Sequence, residues 1–314
     1  MGRGSMSEGA ALSNASWSEA ARARASQIDV EHVLAGIAAN GGEAARILGQ
    51  AGVTLAGIRA ATRRVRDRHL ATLGVDPRDL PSASPRPLED LHHDATGDIP
   101  MSERFKVLTK GSAFTSGTAL LRAVIDEPSG RGREVLAETG ADVEVLSRVL
   151  DATDDRRRGW RIVPVRRDLL GDGPVSRGVQ VQRFVSAPPQ LVADVAAGEE
   201  FAAEFVGRGE KRGYRYWPDR LAAETTPEGH HVLWGCRFDG GKRRLEAVLN
   251  SYTDISISPA PGGAEVTVTV ANRRWGGPLW RIVGPLVPWV MLARLRAWQI
   301  VRGLAMGSAE AQEA

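Results

Sequence analysis

The sequence predicts a multidomain chain: an all-α double-repeat bundle, then an α+β unit whose antiparallel strands end in a long helix. Three observations predict it. A helical pattern in the first 70 residues returns after residue 100. A charged, irregular stretch from Asp151 to Ser176 then interrupts the chain. Beyond it the apolar residues change from three-and-four spacing to alternation.

The repeat covers about residues 10–70 and 100–150. Val30-Glu31-His32-Val33-Leu34, followed by Arg46-Ile47-Leu48, Gly52-Val53, Leu55 and Ile58, returns as Gly117-Thr118-Ala119-Leu120-Leu121. Glu134-Val135-Leu136, Gly140-Ala141, Val143 and Leu146 complete the second copy. Each copy reads as a helix, a break, a second helix ending near glycine, and a third. Between the copies, Asp76 to Pro100 holds Pro77, Pro81, Pro85, Pro87 and Pro100, which predicts a loop. His92-His93 lies there beside Glu89, Asp90 and Asp94. Neighbouring residues on a loop rarely give the fixed three or four ligands a metal needs, so neither metal nor cofactor is expected.

The 314 residues suit about two domains, and 42% hydrophobic with 25% charged content describes an ordinary globular protein. The single cysteine, Cys236, excludes an intrachain disulfide framework and fits a reducing, cytoplasmic setting. No apolar amino-terminal segment suggests a secretory signal. Arginine carries nearly all the positive charge, and the net charge is only +3. The densest group, Arg156-Arg157-Arg158, Arg161 and Arg166-Arg167, is interleaved with Asp151, Asp154, Asp155 and Asp168. That reads as a solvated linker over 151–176, with no nucleic-acid partner.

In the second half, 177–308, Val179, Val181 and Phe184 predict a strand, and Ser186-Ala187-Pro188-Pro189 opens a helix to Val195. A short helix is expected over Glu199–Val206. Strands follow at His231–Phe238, Arg243–Leu249, Tyr252–Ser258 and Glu265–Val270, with turns at Asp239-Gly240-Gly241 and Pro259 to Gly263. A long helix is expected from Pro278 to Met306. Ile282–Ala293 is uncharged but too short to span a bilayer, so no transmembrane segment is expected. Contact with a membrane surface and packing on the sheet both fit its apolar face.

Two resemblances follow from these residues. Glu19 to Leu34, an Ala- and Arg-rich helix leading into Val30-Glu31-His32-Val33-Leu34, resembles the amino-terminal repeat of the Clp ATPases. Met101-Ser102-Glu103-Arg104-Phe105-Lys106-Val107-Leu108 resembles the opening of that family's second repeat. The second copy carries Thr118-Ala119 in place of Glu-His. Ser186 to Val192 resembles the entry into the first helix of the START-like, or SRPBCC, superfamily of polyketide cyclases and lipid-transport proteins. That resemblance implies a helix-grip fold, a curved sheet around the terminal helix with an apolar cavity between them.

The Clp resemblance implies recognition of a peptide, degron or small molecule through Glu31, His32 and Thr118. In phosphoarginine-reading members the glutamate contacts guanidinium, a pairing carboxylates make in bidentate fashion. Val30 stands where those readers carry threonine. The competing reading makes Glu31 a first-turn acid favoured by the helix dipole and His32 a packed side chain. The expected partners are the Clp protease system or its substrates, a cyclic peptide, or a lipid-like ligand. For the cavity, Trp217, Trp234, Phe238, Tyr252, Trp280 and Trp289 are the candidate lining, against the alternative that they fill the core.

No Walker A loop, Gly-x-Ser-x-Gly elbow, His-Glu-x-x-His helix or paired-cysteine zinc signature occurs. The expected function is therefore a non-enzymatic binding protein, an adaptor, competitor or antibiotic-sequestering decoy for Clp proteolysis with an apolar-ligand domain. The alternative is a START-like cyclase, dehydratase or hydrolase using His230, His231, Asp254 or Glu246 as acid and base.

Overall fold

The computed structural model describes residues 8–79, 99–109, 115–153, 159–171, 175, 177–207, 209–211, 214–240, 249–273 and 289–312. Its first half is helical: α1 Glu8–Arg22, α2 Val30–Asn40, α3 Glu43–Gln50, α4 Leu55–Thr72, α5 Glu103–Thr109, α6 Gly117–Ile125, α7 Arg131–Glu138 and α8 Val143–Ala152. The helices of the two expected copies begin at similar spacings. Helices α2, α3 and α4 start at Val30, Glu43 and Leu55, and α6, α7 and α8 start at Gly117, Arg131 and Val143. Gly52 and Gly140 both take positive φ just before the third helix of their copy, the conformation glycine adopts without penalty. Helix α2 is buried nearly all round, and Val33, Leu34 and Ile37 have no exposed surface. Such a helix forms the centre of a bundle.

The copies are stitched where α2 and α5 begin. The Ile28 N–H donates to the Pro100 carbonyl at 2.8 Å and the Ser102 N–H to the Ile28 carbonyl at 2.9 Å. Asp29 caps α2 and accepts from the Ser102 hydroxyl at 2.8 Å and Arg104 Nε at 3.0 Å. Burial alone would raise the Asp29 carboxyl. Hydrogen bonds from Arg104, the Val30 N–H and Ser102 outweigh that and hold it below the usual carboxylate range.

The second half is a seven-stranded sheet of order β1-β2-β7-β6-β5-β4-β3, every pairing antiparallel. Its strands are β1 Trp160–Val163, β2 Gly178–Val185, β3 Gly209–Lys211, β4 Tyr214–Thr226, β5 Gly229–Gly240, β6 Ser251–Ala260 and β7 Gly263–Asn272. Four helical pieces accompany it: α9 Arg167–Leu170, α10 Pro189–Ala197, α11 Glu199–Phe201 and α12 Trp289–Ala311. A π-helical turn, Ala202–Gly207, continues α11. Val181, Val185, Val232, Trp234, Ile255, Ile257, Val266, Val268 and Val270 pack with Ala297, Ile300, Val301 and Leu304 of α12, as a helix-grip arrangement requires. The opposite face carries a small cluster of Leu170, Leu233, Leu249, Tyr252 and Ala271.

Three expectations change. Within the stretch expected to be a linker, Trp160–Val163 pairs with β2 as an edge strand, and Leu170 is fully buried. Its alternating Arg161 and exposed Ile162 hide the strand from a hydrophobicity pattern. Strand β4 was not expected, because Pro218, Asp219 and Arg220 interrupt any apolar alternation. Beyond Tyr216 its outer side has no strand partner among the described residues, the kind of position where proline is tolerated. The long helix runs Trp289–Ala311. The expected strand Arg243–Leu249 (all but its last residue), the end of the Asp239-Gly240-Gly241 turn, the start of the long helix and the His92-His93 pair lie outside the described residues.

The two halves meet over a polar junction. Arg183 points from β2 toward the end of α2, where Nε reaches the Asn40 carbonyl at 3.1 Å and Nη2 reaches the carbonyls of Asn40 at 2.9 Å and Gly41 at 3.2 Å. A cation there satisfies carbonyls the helix leaves unpaired and opposes its dipole. Glu8 neutralises it, pairing with Arg183 at 3.1 Å and with Arg302 at 2.7 Å. Both guanidinium groups lie over the Trp298 ring, 5.5 and 5.9 Å from its centroid. The Gly42 N–H donates to the Phe184 carbonyl at 2.8 Å. A Cβ on Gly41 would sit 2.3 Å from that carbonyl oxygen, so this corner admits only glycine. Further along, Arg59 bonds the Ala309 carbonyl at 3.2 Å while pairing with Glu19 at 2.7 Å.

Burial works against the Glu8 carboxylate, but the charges of Arg183 and Arg302 and their hydrogen bonds prevail and lower its pKa. The stability it contributes is present above the unfolded carboxylate pKa and is lost as pH falls through the folded one. Glu8→Gln leaves Arg183 buried without a counter-charge and should cost about 3 kcal/mol in urea denaturation at pH 7. The gap between mutant and wild type should shrink as pH drops below about 4.

Candidate functional site

Helix α12 fills the sheet's inner face over β2 and β7, but toward β4 the covering elements are α10, α11 and the π-turn. A recess of about 360 Å³ remains there, lined by Glu199, Ala202, Ala203, Trp217, Pro218, Asp219, Arg220 and Trp234. Its floor is fixed by hydrogen bonding. The Trp234 indole N–H donates to the Ala196 carbonyl at 2.8 Å, and Arg220 Nη1 donates to the Ala197 carbonyl at 3.0 Å. The Arg220 guanidinium lies 5.9 Å from the Trp234 ring centroid. Asp219 is tied to Arg237 at 2.7 Å. π-Turns recur at functional sites because the widened backbone leaves carbonyls free to take other partners.

One of those partners is Arg296 of α12, whose Nη2 donates to the Val206 carbonyl at 2.5 Å and Nη1 to Asn272 Oδ1 at 3.2 Å. Burial pulls its guanidinium below the usual arginine range, and the Cys236 thiol is the one charged or titrating neighbour that opposes the shift. Burial in turn pushes the Cys236 thiol up, with Arg296 acting against it, so the sulfur stays protonated.

The predicted cavity residues separate. Trp217 and Trp234 meet in the recess, Trp217 being 38% exposed at its rim. Phe238 stacks at a tilt on Tyr216, ring centroids 5.0 Å apart. Trp289 is the first residue of α12, and Trp280 lies outside the described residues. Tyr252 does not belong to the cavity. Strand alternation turns it to the other face, where its hydroxyl accepts from the Arg166 N–H at 3.2 Å beside Leu170. Arg220, Asp219, Glu199 and Arg296 were missed. Arg296 had a readable signal, since it falls on the buried stripe Ala293, Ala297, Ile300, Leu304 of its helix.

The acid–base candidates also lie elsewhere. His231 Nε2 is 3.0 Å from Asp254 Oδ1, but both share the face of Leu233 and Tyr252, opposite the recess. His230 meets the Thr225 hydroxyl at 3.1 Å, and Glu246 is outside the described residues. Among the described residues no group of three metal-binding side chains gathers, and no helix is long and apolar enough to cross a membrane.

In the helical half, Glu31 is occupied. Arg131 of the second copy donates to both its oxygens, at 3.4 and 3.2 Å, with both side chains nearly buried. The carboxylate does bind a guanidinium, but one from its own chain. His32 completes the α2 capping box, its Nδ1 accepting from the Asp29 N–H at 3.0 Å. Thr118 is buried, its hydroxyl 3.3 Å from Ser116, which caps α6. The candidate trio thus builds helix starts and the contact between copies.

No protein-family model and no curated protein matches the sequence. Among solved structures, human StAR-related lipid transfer protein 5 is similar at 10% identity over 54% of this chain and 95% of its own, TM-score 0.29. A STAR-related lipid transfer protein fragment from Xanthomonas axonopodis is similar at 10% identity over 49% and 99%, TM-score 0.28. The human StarD13 lipid transfer and protein localization domain is similar at 12% identity over 51% and 96%, TM-score 0.25. Likeness at this level says nothing of what this chain binds.

Nδ1 can accept only while His32 is neutral. Burial lowers its pKa, against the nearby charges of Glu31, Asp29 and Glu19. An unfolded histidine therefore takes up a proton before the folded one, and stability declines as pH falls below about 6.5. His32→Gln keeps a capping side chain without a titrating group. Its stability should change less than wild type between pH 7 and 5, measured by urea midpoint.

Proposed function

We propose that this chain is a binding protein whose sheet half holds an apolar ligand under the π-turn. The observation that carries this reading is the recess itself. It has the volume of a small-molecule site, two tryptophans and a small set of oriented polar groups. The enzyme alternative is weaker, because the recess lining contains no histidine and the His231–Asp254 pair faces away from it.

A finer form of the proposal gives the helical half a Clp-type role, binding a peptide, a degron or a cyclic peptide as adaptor, competitor or decoy. Its support is the sequence resemblance and the duplicated helix order. Glu31 is not offered as the contact, since Arg131 holds it. Titrating the full chain with Clp-binding peptides tests this part separately.

For the recess, a neutral apolar fluorophore such as Nile red is the direct probe. Saturable binding near one equivalent is expected, and Ala203→Trp, which fills the recess, should weaken it at least tenfold. Equal affinity in wild type and Ala203→Trp would refute the site.

A further inference from the structure

Arg296 has no role in the junction or in the sheet's apolar packing. It stands on the buried side of α12 between Ala293 and Ala297, which are both fully buried, while the residue itself is half-buried. A guanidinium offers five N–H donors. Its hydrogen-bond acceptors, Asn272 Oδ1 and the Val206 carbonyl, are both neutral, and no carboxylate pairs with it among the described residues. This contrasts with the other sunken arginines: Arg59 has Glu19, Arg131 has Glu31 and Arg183 has Glu8. A buried charge without a counter-ion is costly and persists where something else neutralises it.

Its place relative to the recess is informative. Ala202 and Ala203, at the start of the π-turn, line the recess, and the Val206 carbonyl near the turn's end accepts from Arg296. Trp234 in the recess and Cys236 beside Arg296 are alternate residues of β5 on the same sheet face. Apolar side chains of the same segment pack nearby: Phe201 and Phe205 stack 5.1 Å apart, and Phe205 lies against Gly303 of α12.

We propose that Arg296 is the anion-binding end of this site, and that the ligand is an amphiphile with one anionic headgroup, carboxylate or phosphate, and an apolar body. This rests on the apolar-ligand reading above and narrows it. The headgroup accepts charge-assisted hydrogen bonds from the donors Arg296 leaves unused, and the apolar body extends along the π-turn toward Trp234.

The test is calorimetric titration of the full chain with oleate, 1-oleoyl lysophosphatidate and methyl oleate, in wild type and in Arg296→Met. At least one anion should bind wild type ten or more times tighter than the neutral ester, and which anion wins identifies the headgroup. In Arg296→Met that preference should vanish while the ester still binds. The unliganded variant should melt no lower than wild type, because an uncompensated buried charge has been removed. Equal binding of ester and anions to wild type, or an anion preference that survives Arg296→Met, overturns the proposal and leaves the apolar site standing. Failure of all three probes and of Nile red overturns both.

Discussion

The guanidinium of Arg183, sunk between the end of α2 and the ring of Trp298, is the central polar contact between the two halves of this molecule. It arises from β2, so it belongs to the sheet, yet its acceptors are the last carbonyls of the helical half's central helix. Burial lowers its pKa against the pull of Glu8, but a guanidinium stays protonated at any ordinary pH. The charge is therefore permanent, and the structure around it must compensate. Glu8 supplies the anion, the α2 terminus supplies oriented dipoles, and Trp298 supplies a π-face. Around this centre the Gly41-Gly42 corner closes on the Phe184 carbonyl, and Gly49 meets the Pro261-Gly262 turn between β6 and β7 at backbone distance.

Helix α12 connects that junction to the proposed binding site. Arg302 pairs with Glu8 of the helical half, Ala309 enters that half's core, and Arg296, six residues before Arg302, reaches under the π-turn. A ligand that draws on Arg296 thus touches the same rigid element that anchors the bundle. The arrangement gives a physical route between the halves, a single helix with packed contacts at both ends.

Much of this was legible in the residues. The order of helices followed from spacing and from Gly52 and Gly140. The sheet strands β2, β6 and β7 followed from alternation of Val179 and Val181, of Ile255 and Ile257, and of Val266, Val268 and Val270. Strands β1 and β4 were not legible, because edge positions relax the demand for apolar alternation and admit Arg161, Pro218 and Asp219. Of the six aromatic candidates, Trp217 and Trp234 line the recess. Composition marks Tyr252 and Trp234 as large and buried, but only strand parity distinguishes the face of each. Glu31 shows the same limit: that its carboxylate is paired with Arg131, one hundred residues away, is a fact of tertiary packing.

That the halves form one cooperative unit, and not two domains on a tether, is tested most directly by differential scanning calorimetry of the full chain at pH 7. One transition with equal calorimetric and van't Hoff enthalpies is expected. Two resolved transitions, with enthalpies that divide between helical and sheet halves, would contradict it.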